Sequence, residues 1–389
     1  MAGSESRLEP TDTVIRHVWA ASAGRCAICK QSVLSNEFEG LTVPIGELAH
    51  AVGQKESSPR GLSPLTREQR READNLILLC RNCHKPADDK SVYDVYSVDR
   101  LLRIKREHEE AVYTLTGIDP NQRATILRLV GEVRGVHPSL SYQATLRAVT
   151  GAGLYPKLLN GANSSEVDID LSGRAQAGTP QYYQGCAVDI DEKMRQVNDG
   201  IRRGDIERLA VFGFARIPLL VHLGARLDDK IPTNLFQRQR SDEANPWSWP
   251  SDAGATPDFR FTHELRASGS LRVALVVNLS GTISREDLDP LIEEATNLYV
   301  LAPCTPFQPG PTLLNSPQAV QNFEATARAF LAHIEQEYGR IPQIDLFGAI
   351  PLAAAITLGR VLMPNVSPAW QVWDRNGDGR FIPALEVRR

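Results

Sequence analysis

Two rhythms of apolar residues divide the chain. Over 97–117, Leu101, Ile104, Ala111 and Val112 recur among charged residues, which predicts an amphipathic helix closing a first domain. Gly117 and Pro120 then interrupt the pattern and place a boundary near residue 118. Past it, apolar residues come in short unbroken blocks. "LRVALVVNLSG" (271–281) and "NLYVLAP" (297–303) read as buried strands, and "SPQAVQNFEATARAFLAHIEQEYG" (316–339) reads as a long helix. "NQRATILRLVGEV" (121–133) is expected to be helical, and "GANSSEVDIDLSGRAQAG" (161–178) to be short strand and turn.

A degenerate repeat orders the rest. "LAVFGFARIPLLVHLGARL" (209–227) and "IDLFGAIPLAAAITLGRVL" (344–362) each run from an apolar strand ending in Phe-Gly, through Ile-Pro-Leu, to a helix ending in Leu-Gly. Gly213 and Gly224 in one copy have the same separation as Gly348 and Gly359 in the other, and each copy leads into a strand-like stretch, "NLFQRQR" or "AWQVWDR". Strand, turn, helix, strand is the pattern of a parallel, doubly wound sheet. The fold class is thus α/β, with a small domain over 1–118 followed by 119–389 as two Rossmann-like halves, 119–260 and 261–389. No G-x-G-x-x-G fingerprint follows either strand, so no nicotinamide or flavin cofactor is expected.

Composition narrows the partners. Hydrophobic residues at 42% and charged residues at 23% are ordinary for a globular protein, and 389 residues suffice for two or three cores. A net charge of −4 excludes a uniformly basic coat, so contact with nucleic acid would need a local patch. "TREQRRE" (66–72), with Arg67, Arg70 and Arg71, is a candidate, although such a run is also what a solvated face looks like. The most apolar stretch, 346–359, is too short to span a bilayer, and residues 1–20 lack the basic start and apolar core of a secretory signal. A cytoplasmic protein without a membrane partner is expected.

The densest chemistry lies in the first hundred residues. Cys26 and Cys29 ("CAIC") and Cys80 and Cys83 ("CRNCH") form two close pairs, the spacing of a closed tetrahedral Zn2+ site. Between them fall His50 and Asn75, and His84 follows the last cysteine. Cys186 and Cys304 are isolated and read as buried thiols, while His17, His108, His137, His222, His263 and His333 read as structural or surface residues.

The run from "GRCAIC" through "AHAV" to "NLILLCRNCHK" resembles the HNH nucleases of the ββα-metal type with a four-cysteine zinc site. The resemblance covers about residues 20–110. It implies a β-hairpin carrying the first histidine and the asparagine, and a helix carrying the last histidine. Hydrolysis of a phosphodiester needs an activated water and a divalent cation. A neutral histidine accepts a proton near pH 7, so His50 is the expected general base and Asn75 the residue that orients it. His84 would bind Mg2+ or Mn2+, and Asp88, four residues on and so on the same helix face, would join it. Many such enzymes place a ligand directly before the base; here that position is Ala49, which leaves Glu47 as a possible substitute.

The C-terminal half, through "LAVFGFARIPLLVHLGARLDDK", "QRQRSDEANPWSWP" and "DLFGAIPLAAAITLGRVL", resembles the sensor half of the HNH–SAVED effectors of CBASS anti-phage systems. The resemblance implies paired CARF-like halves that bind a cyclic di- or trinucleotide in their cleft. It also implies homo-oligomerisation that switches on cutting of double-stranded DNA with low sequence specificity. Bases stack on aromatic and Arg planes, and phosphates take Arg, Lys and backbone N–H groups. The candidates are Phe214, Arg216, Arg240, Trp249, Ser280, Thr282 and Asn376, with Tyr155 and Lys157 before the first half. "DRNGDG" (374–379) resembles the start of a calcium loop, but Leu385 stands where a bidentate Glu is required, so a polar turn at the cleft is the better reading. Two rivals carry the same residues. One is a restriction-type HNH endonuclease with a DNA-reading C-terminal domain; the other is a non-catalytic nucleotide sensor.

Overall fold

A computed structural model describes residues 8–389 apart from 35, 39–40, 90, 92–93, 134, 136–139, 158–165, 175–177, 228, 241–242 and 289–295. His137 and most of the 161–178 segment outside 166–174 therefore lie beyond the described residues. The chain divides into two compact units, Met1–Ile118 and Asp119–Arg389.

In the first unit, helix α1 (Asp12–Ala21) starts at Thr11, whose hydroxyl accepts from the Val14 N–H. A short hairpin, β1 (Asn36–Phe38) and β2 (Leu41–Val43), precedes a second one. In that second hairpin, β3 (Gly46–His50) pairs antiparallel with β4 (Leu76–Cys80), Gly46 opposite Cys80 and His50 opposite Leu76. Between these strands lies the one-turn helix α2 (Arg67–Arg70), and α3 (Arg81–Ala87) follows β4 without a break. Helix α4 (Val98–Gly117) closes the unit. Strand β4 is buried along its whole length, and its Leu-Ile-Leu-Leu run forms the core with Val18, Val33 and Ala49. His108 is buried on α4, its ring nitrogens facing Lys30 Nζ and the Ser22 carbonyl, each at 3.2 Å.

The second unit contains two sheets. The first comprises β5 (Arg123–Val130), β6 (Tyr155–Pro156), β7 (Glu166–Asp170), β8 (Leu209–Phe214) and β9 (Thr233–Phe236), all parallel, with β5 central between β8 on one side and β6 and β7 on the other. The second comprises β10 (Phe259–Leu265), β11 (Val273–Asn278), β12 (Asn297–Pro303), β13 (Gln343–Ala349), β14 (Ala369–Arg375) and β15 (Phe381–Val387). Their order is β10-β12-β11-β13-β14-β15, parallel inside with antiparallel edge strands. The helices are α5 (Tyr142–Gly151), α6 (Pro180–Arg203), α7 (Ile217–Arg226), α8 (Pro317–Tyr338) and α9 (Leu352–Arg360).

Strand alternation shows how the layers bury. Leu127, Leu129, Leu209 and Val211 enter one core with α6, α7, α8, α9 and the facing residues Leu275, Val277 and Leu346 of the second sheet. Their neighbours Ala124, Ile126, Ala210 and Phe212 point the other way, into a core with Ala148, Val149, Phe236 and Trp247. Both faces of the sheet are covered, which is why its strands read as unbroken apolar runs. This corrects the helix expected over 121–133. Residues 123–130 form the central strand β5, because a run buried on both faces carries no periodicity that separates strand from helix. The divide expected at 260 also falls inside β10; the chain passes between the sheets over 237–258.

The repeat corresponds to the crossing of α7 and α9. A methyl group on Gly224 would lie 1.9 Å from the Ile356 carbonyl oxygen, and one on Gly359 would lie 1.9 Å from the Val221 carbonyl oxygen. The two helices pack backbone to backbone through their matching glycines.

Candidate functional site

In the first unit, the four cysteine sulfurs lie within 4.8 Å of one another. Cys26 and Cys29 sit on a loop fixed to β4 by the Ala27 N–H donating to the Leu78 carbonyl (2.9 Å), and Lys30 closes the turn with φ 62°. Cys80 ends β4 and Cys83 lies in the first turn of α3, so one hairpin strand and its helix supply the second pair. Burial raises the Cys26 pKa, but N–H groups of Cys29, Cys80 and Ile28 directed at its sulfur outweigh this and bring it down to about 7. A cluster of four sulfurs, one already biased toward thiolate, fits a tetrahedral soft cation.

His50, Asn75 and His84 come together around the same hairpin. Both amide hydrogens of Asn75 are donated, to the Val52 carbonyl (2.9 Å) and the Arg70 carbonyl (2.7 Å), and its oxygen accepts from the Val52 N–H (2.8 Å). Its backbone carbonyl accepts from Ala51 N–H at 2.9 Å. Asn75 thus fixes the chain just beyond His50, and this corrects the expectation that its side chain orients the His50 ring, because its amide is committed to the backbone of Val52 and Arg70.

His84 is held between two carboxylates, Nδ1 against Glu47 (2.6 Å) and Nε2 against Asp88 (3.2 Å). Hydrogen bonds to Asp88 and Glu47 raise the His84 pKa against the opposing pull of burial. The hydrogen bond from His84 holds Glu47 below its ordinary value. For Asp88, burial pushes upward, but His84 and Arg60 outweigh it. His84 and Asp88 are close enough to share a cation, whereas Glu47 lies at the opposite edge of the ring. Ala49, the position without a ligand, is packed in the core.

Two arginines have unforeseen roles. The Arg60 side chain, 4% exposed, donates to Asp88 (2.8 Å), to the His50 carbonyl (3.2 Å) and to the Ala51 carbonyl (2.9 Å). Nothing in "SPRGLSP" signalled this. Arg70, expected in a basic patch, is buried and donates to the carbonyls of Gly53, Gly61, Ser63 and Leu65. It organises the loop between the strands.

In the second unit, a cavity of about 440 Å³ opens at the carboxyl ends of β8, β11, β13 and β14, between the N-termini of α7 and α9. Phe214, Arg216, Arg240, Ser280 and Thr282 line it. The other four candidates lie elsewhere. Trp249 borders a separate cavity, Tyr155 is on edge strand β6, Lys157 Nζ donates to the Asp205 carbonyl, and Asn376 is a turn residue accepting from Asp378 and Arg380 N–H. Asp374, the first residue of the calcium-like run, is committed to Arg216 (3.0 Å) and to the Tyr183 hydroxyl.

The cavity also draws on Gln237, Arg238 and Arg375. The Arg238 guanidinium lies 5.9 Å from the Phe214 ring centroid, and Arg375 lies 4.4 Å from that of Phe381. Among the described lining residues, Asp374 is the one carboxylate beside Arg216, Arg238, Arg240 and Arg375, and Arg375 also pairs with Asp287 at 3.2 Å. Arg238 and Arg375 stand just at or after strand ends, two and one positions from Arg240 and Asn376 in the sequence. The first turn of α9 is capped from outside, the Ala353 N–H donating to the Gln237 side-chain oxygen at 2.9 Å. The clustered guanidinium groups give the cleft a positive lining of the kind that suits an anion.

Two α/β sheets with an arginine-lined cleft at their strand ends define an α/β protein with a cationic cleft. A family model described as "SMODS-associated and fused to various effectors sensor domain" (SAVED) matches residues 190–387. The chain belongs to this SAVED family. Among solved structures it is similar to the Acinetobacter baumannii Cap4 SAVED/CARF-domain containing receptor with the cyclic trinucleotide 2′3′3′-cAAA, at 14% identity and TM-score 0.45, covering 80% of this chain and 62% of that one. The same receptor with 3′3′3′-cAAA gives 14%, 0.45, 80% and 63%. The Moraxella osloensis Cap4 receptor gives 12%, 0.41, 79% and 63%. The chain thus spans less than two thirds of these receptors' length. No curated protein matches it. No described helix is long and apolar enough to cross a membrane.

Proposed function

We propose that this chain is a cyclic-oligonucleotide-gated, metal-dependent endonuclease of anti-phage defence that cuts double-stranded DNA with little sequence preference. The observation that carries the gate is the arginine-lined cleft at the strand ends of a SAVED-family domain. A cyclic di- or trinucleotide presents phosphates to Arg216, Arg238, Arg240 and Arg375 and a base to Phe214, and its binding favours a homo-oligomer. Switching such an assembly from mostly off to mostly on takes about 5.5 kcal/mol of differential binding.

Support for the nuclease is the hairpin-helix that carries His50, Asn75 and His84 beside the cysteine cluster. The four cysteines hold Zn2+ and fasten the hairpin to the helix. His84 and Asp88 hold Mg2+ or Mn2+, with Glu47 in reserve on the other edge of the ring. The cation supplies charge neutralisation at the phosphate. His50 removes a proton from the attacking water, whose oxygen forms the new bond to phosphorus as the P–O bond to the leaving oxygen breaks; the leaving oxygen takes a proton from solvent, and Asn75 and Arg60 hold the backbone that presents His50.

Plasmid cleavage with Mg2+, with and without a panel of cyclic di- and trinucleotides, tests both parts. Cutting with one or two panel members is expected. Cutting without any of them would favour the restriction-type enzyme, and nucleotide binding without cutting would favour the sensor.

A further inference from the structure

Arg216 lines the cleft, yet its guanidinium is already engaged. Nη1 donates to Asp374 Oδ2 at 3.0 Å, with the Arg375 carbonyl at 3.3 Å and the Tyr183 hydroxyl at 3.4 Å also in reach. Among the described residues, Nε is buried without a hydrogen-bond partner. Nη2 lies beside Gly178, where an added methyl group would come within 3.4 Å of it. Asp374 is equally committed. Its Oδ2 also accepts from the Tyr183 hydroxyl, and its Oδ1 accepts from the Arg375 N–H at 2.8 Å. The Arg216 and Asp374 side chains are 12% and 17% exposed, so water and salt screen the pair little.

The three side chains join elements of both sheets. Tyr183 is buried in the first turn of α6, and Arg216 is the N-cap of α7, the helix between β8 and β9. Asp374 stands near the end of β14 in the second sheet. A guanidinium grips a phosphate through two nitrogens at once. Here one such fork contains Nη1, which Asp374 holds, and the other contains Nε, which is buried. A phosphate can therefore be gripped by Arg216 only if the carboxylate gives way. We propose that Tyr183, Asp374 and Arg216 form a latch across the cleft, in which Asp374 is an internal counter-ion that a nucleotide phosphate displaces from Arg216. The proposal rests on the reading of the cleft as a nucleotide site and adds how its occupancy is signalled. The displaced carboxylate is repelled by the phosphate that replaces it, so α7 is released from β14 and the tie of α6 to β14 is weakened. That exchange of partners supplies the difference between empty and occupied states that any ligand-driven change requires.

Titration calorimetry of the full chain with cyclic di-AMP, cyclic di-GMP, cyclic GMP-AMP and cyclic tri-AMP, in each of their linkage isomers, tests the latch. The wild type is compared with Asp374→Asn, Arg216→Met and the double variant. Asp374→Asn should bind the nucleotide that the wild type binds roughly tenfold more tightly, the worth of a charge-assisted hydrogen bond that is no longer contested. That gain needs Arg216, so the double variant should bind no more tightly than Arg216→Met alone. Without nucleotide, Asp374→Asn should melt below the wild type, because it leaves a buried guanidinium unpaired. Should it not fold, Asp374→Ser carries the same comparison. Amide hydrogen exchange over 180–187, at the start of α6, should quicken when nucleotide binds the wild type. Equal or weaker binding by the Asp374 variant, a gain that persists without Arg216, or exchange over 180–187 that slows or stays constant would overturn the latch and leave the cleft a nucleotide site. Binding of no panel member by either the wild type or the Asp374 variant would overturn the reading of the cleft, and the latch with it.

Discussion

At the scale of single residues, the two histidines of the hairpin and its helix have different partners, and so different fates on substitution. His50 rides on backbone fixed by Asn75 and Arg60 and is only half buried, so its ring is not part of the hydrophobic core. His50→Ala should cut DNA about 10²–10⁴-fold more slowly, the usual worth of a general base, with an unchanged melting curve; wild-type cutting by this variant would end the assignment. Arg70 presents the opposite case. Arg70→Met leaves four carbonyls without their buried donor and should cost on the order of 3 kcal/mol, lowering the melting temperature of the unit. Arg67, exposed on the same short helix, should tolerate replacement by Met without loss of stability. If Arg70→Met melts normally, the loop is not held as described. The sequence could name all these residues, but a run of arginines carries no sign of which guanidinium turns inward.

At the scale of elements, helices α7 and α9 meet at the two glycines that made the repeat visible. Gly224→Ala and Gly359→Ala each place a methyl group inside a backbone carbonyl, so the helices must separate, and each should cost about 1–3 kcal/mol or more. Because both act at one crossing, the double variant should cost less than the sum of the two, which denaturant melts of all four proteins would show. Strict additivity would mean that the helices do not share the strain. Another link joins α6 to α7, where Asp191 accepts from His222 (2.8 Å) and Arg226 (2.7 Å). Burial pushes the Asp191 pKa up, but these two donors hold it below its ordinary 3.8. The contribution is therefore present above pH 3.8 and lost as pH falls through the lower folded value. Asp191→Asn should lower the melting temperature at pH 7, and its deficit should shrink as the pH falls below 3.8; a deficit that does not change with pH would exclude the linkage. These elements were legible where strand and helix alternate with glycine punctuation, as in the two repeats. Strand β5 was not, because Ala124 to Leu129 is buried on both faces and offers neither the period of a helix nor that of a half-exposed strand.

At the scale of the molecule, the two units have cores of very different size. Residues 119–389 bury a large continuous core that includes Tyr183, Phe323, Phe330 and Trp370, enough to fold without a metal. Residues 1–118 have a smaller core around β4, and two of its buried members, Cys26 and Cys80, belong to the sulfur cluster itself. Empty, that cluster would leave four thiols in place of a cross-link joining the loop after α1 to the hairpin and to α3. Zinc binding in such small domains is worth about 10–16 kcal/mol at pH 7, more than a domain of this size can replace. The cysteine cluster was legible because two close pairs of one residue type stand out in a sequence, and the structure brings their sulfurs within 4.8 Å of one another. The cleft was legible only in part, because its arginines are set by strand ends that the sequence locates to within a few residues. Stripping the protein with a zinc chelator should therefore abolish one calorimetric transition and leave the other at its original temperature. The surviving transition should still shift upward with an activating cyclic nucleotide, as binding to the native state alone requires. Retention of both transitions after zinc is shown to be gone would remove the metal from the architecture of the first unit, and with it the reason for its four cysteines.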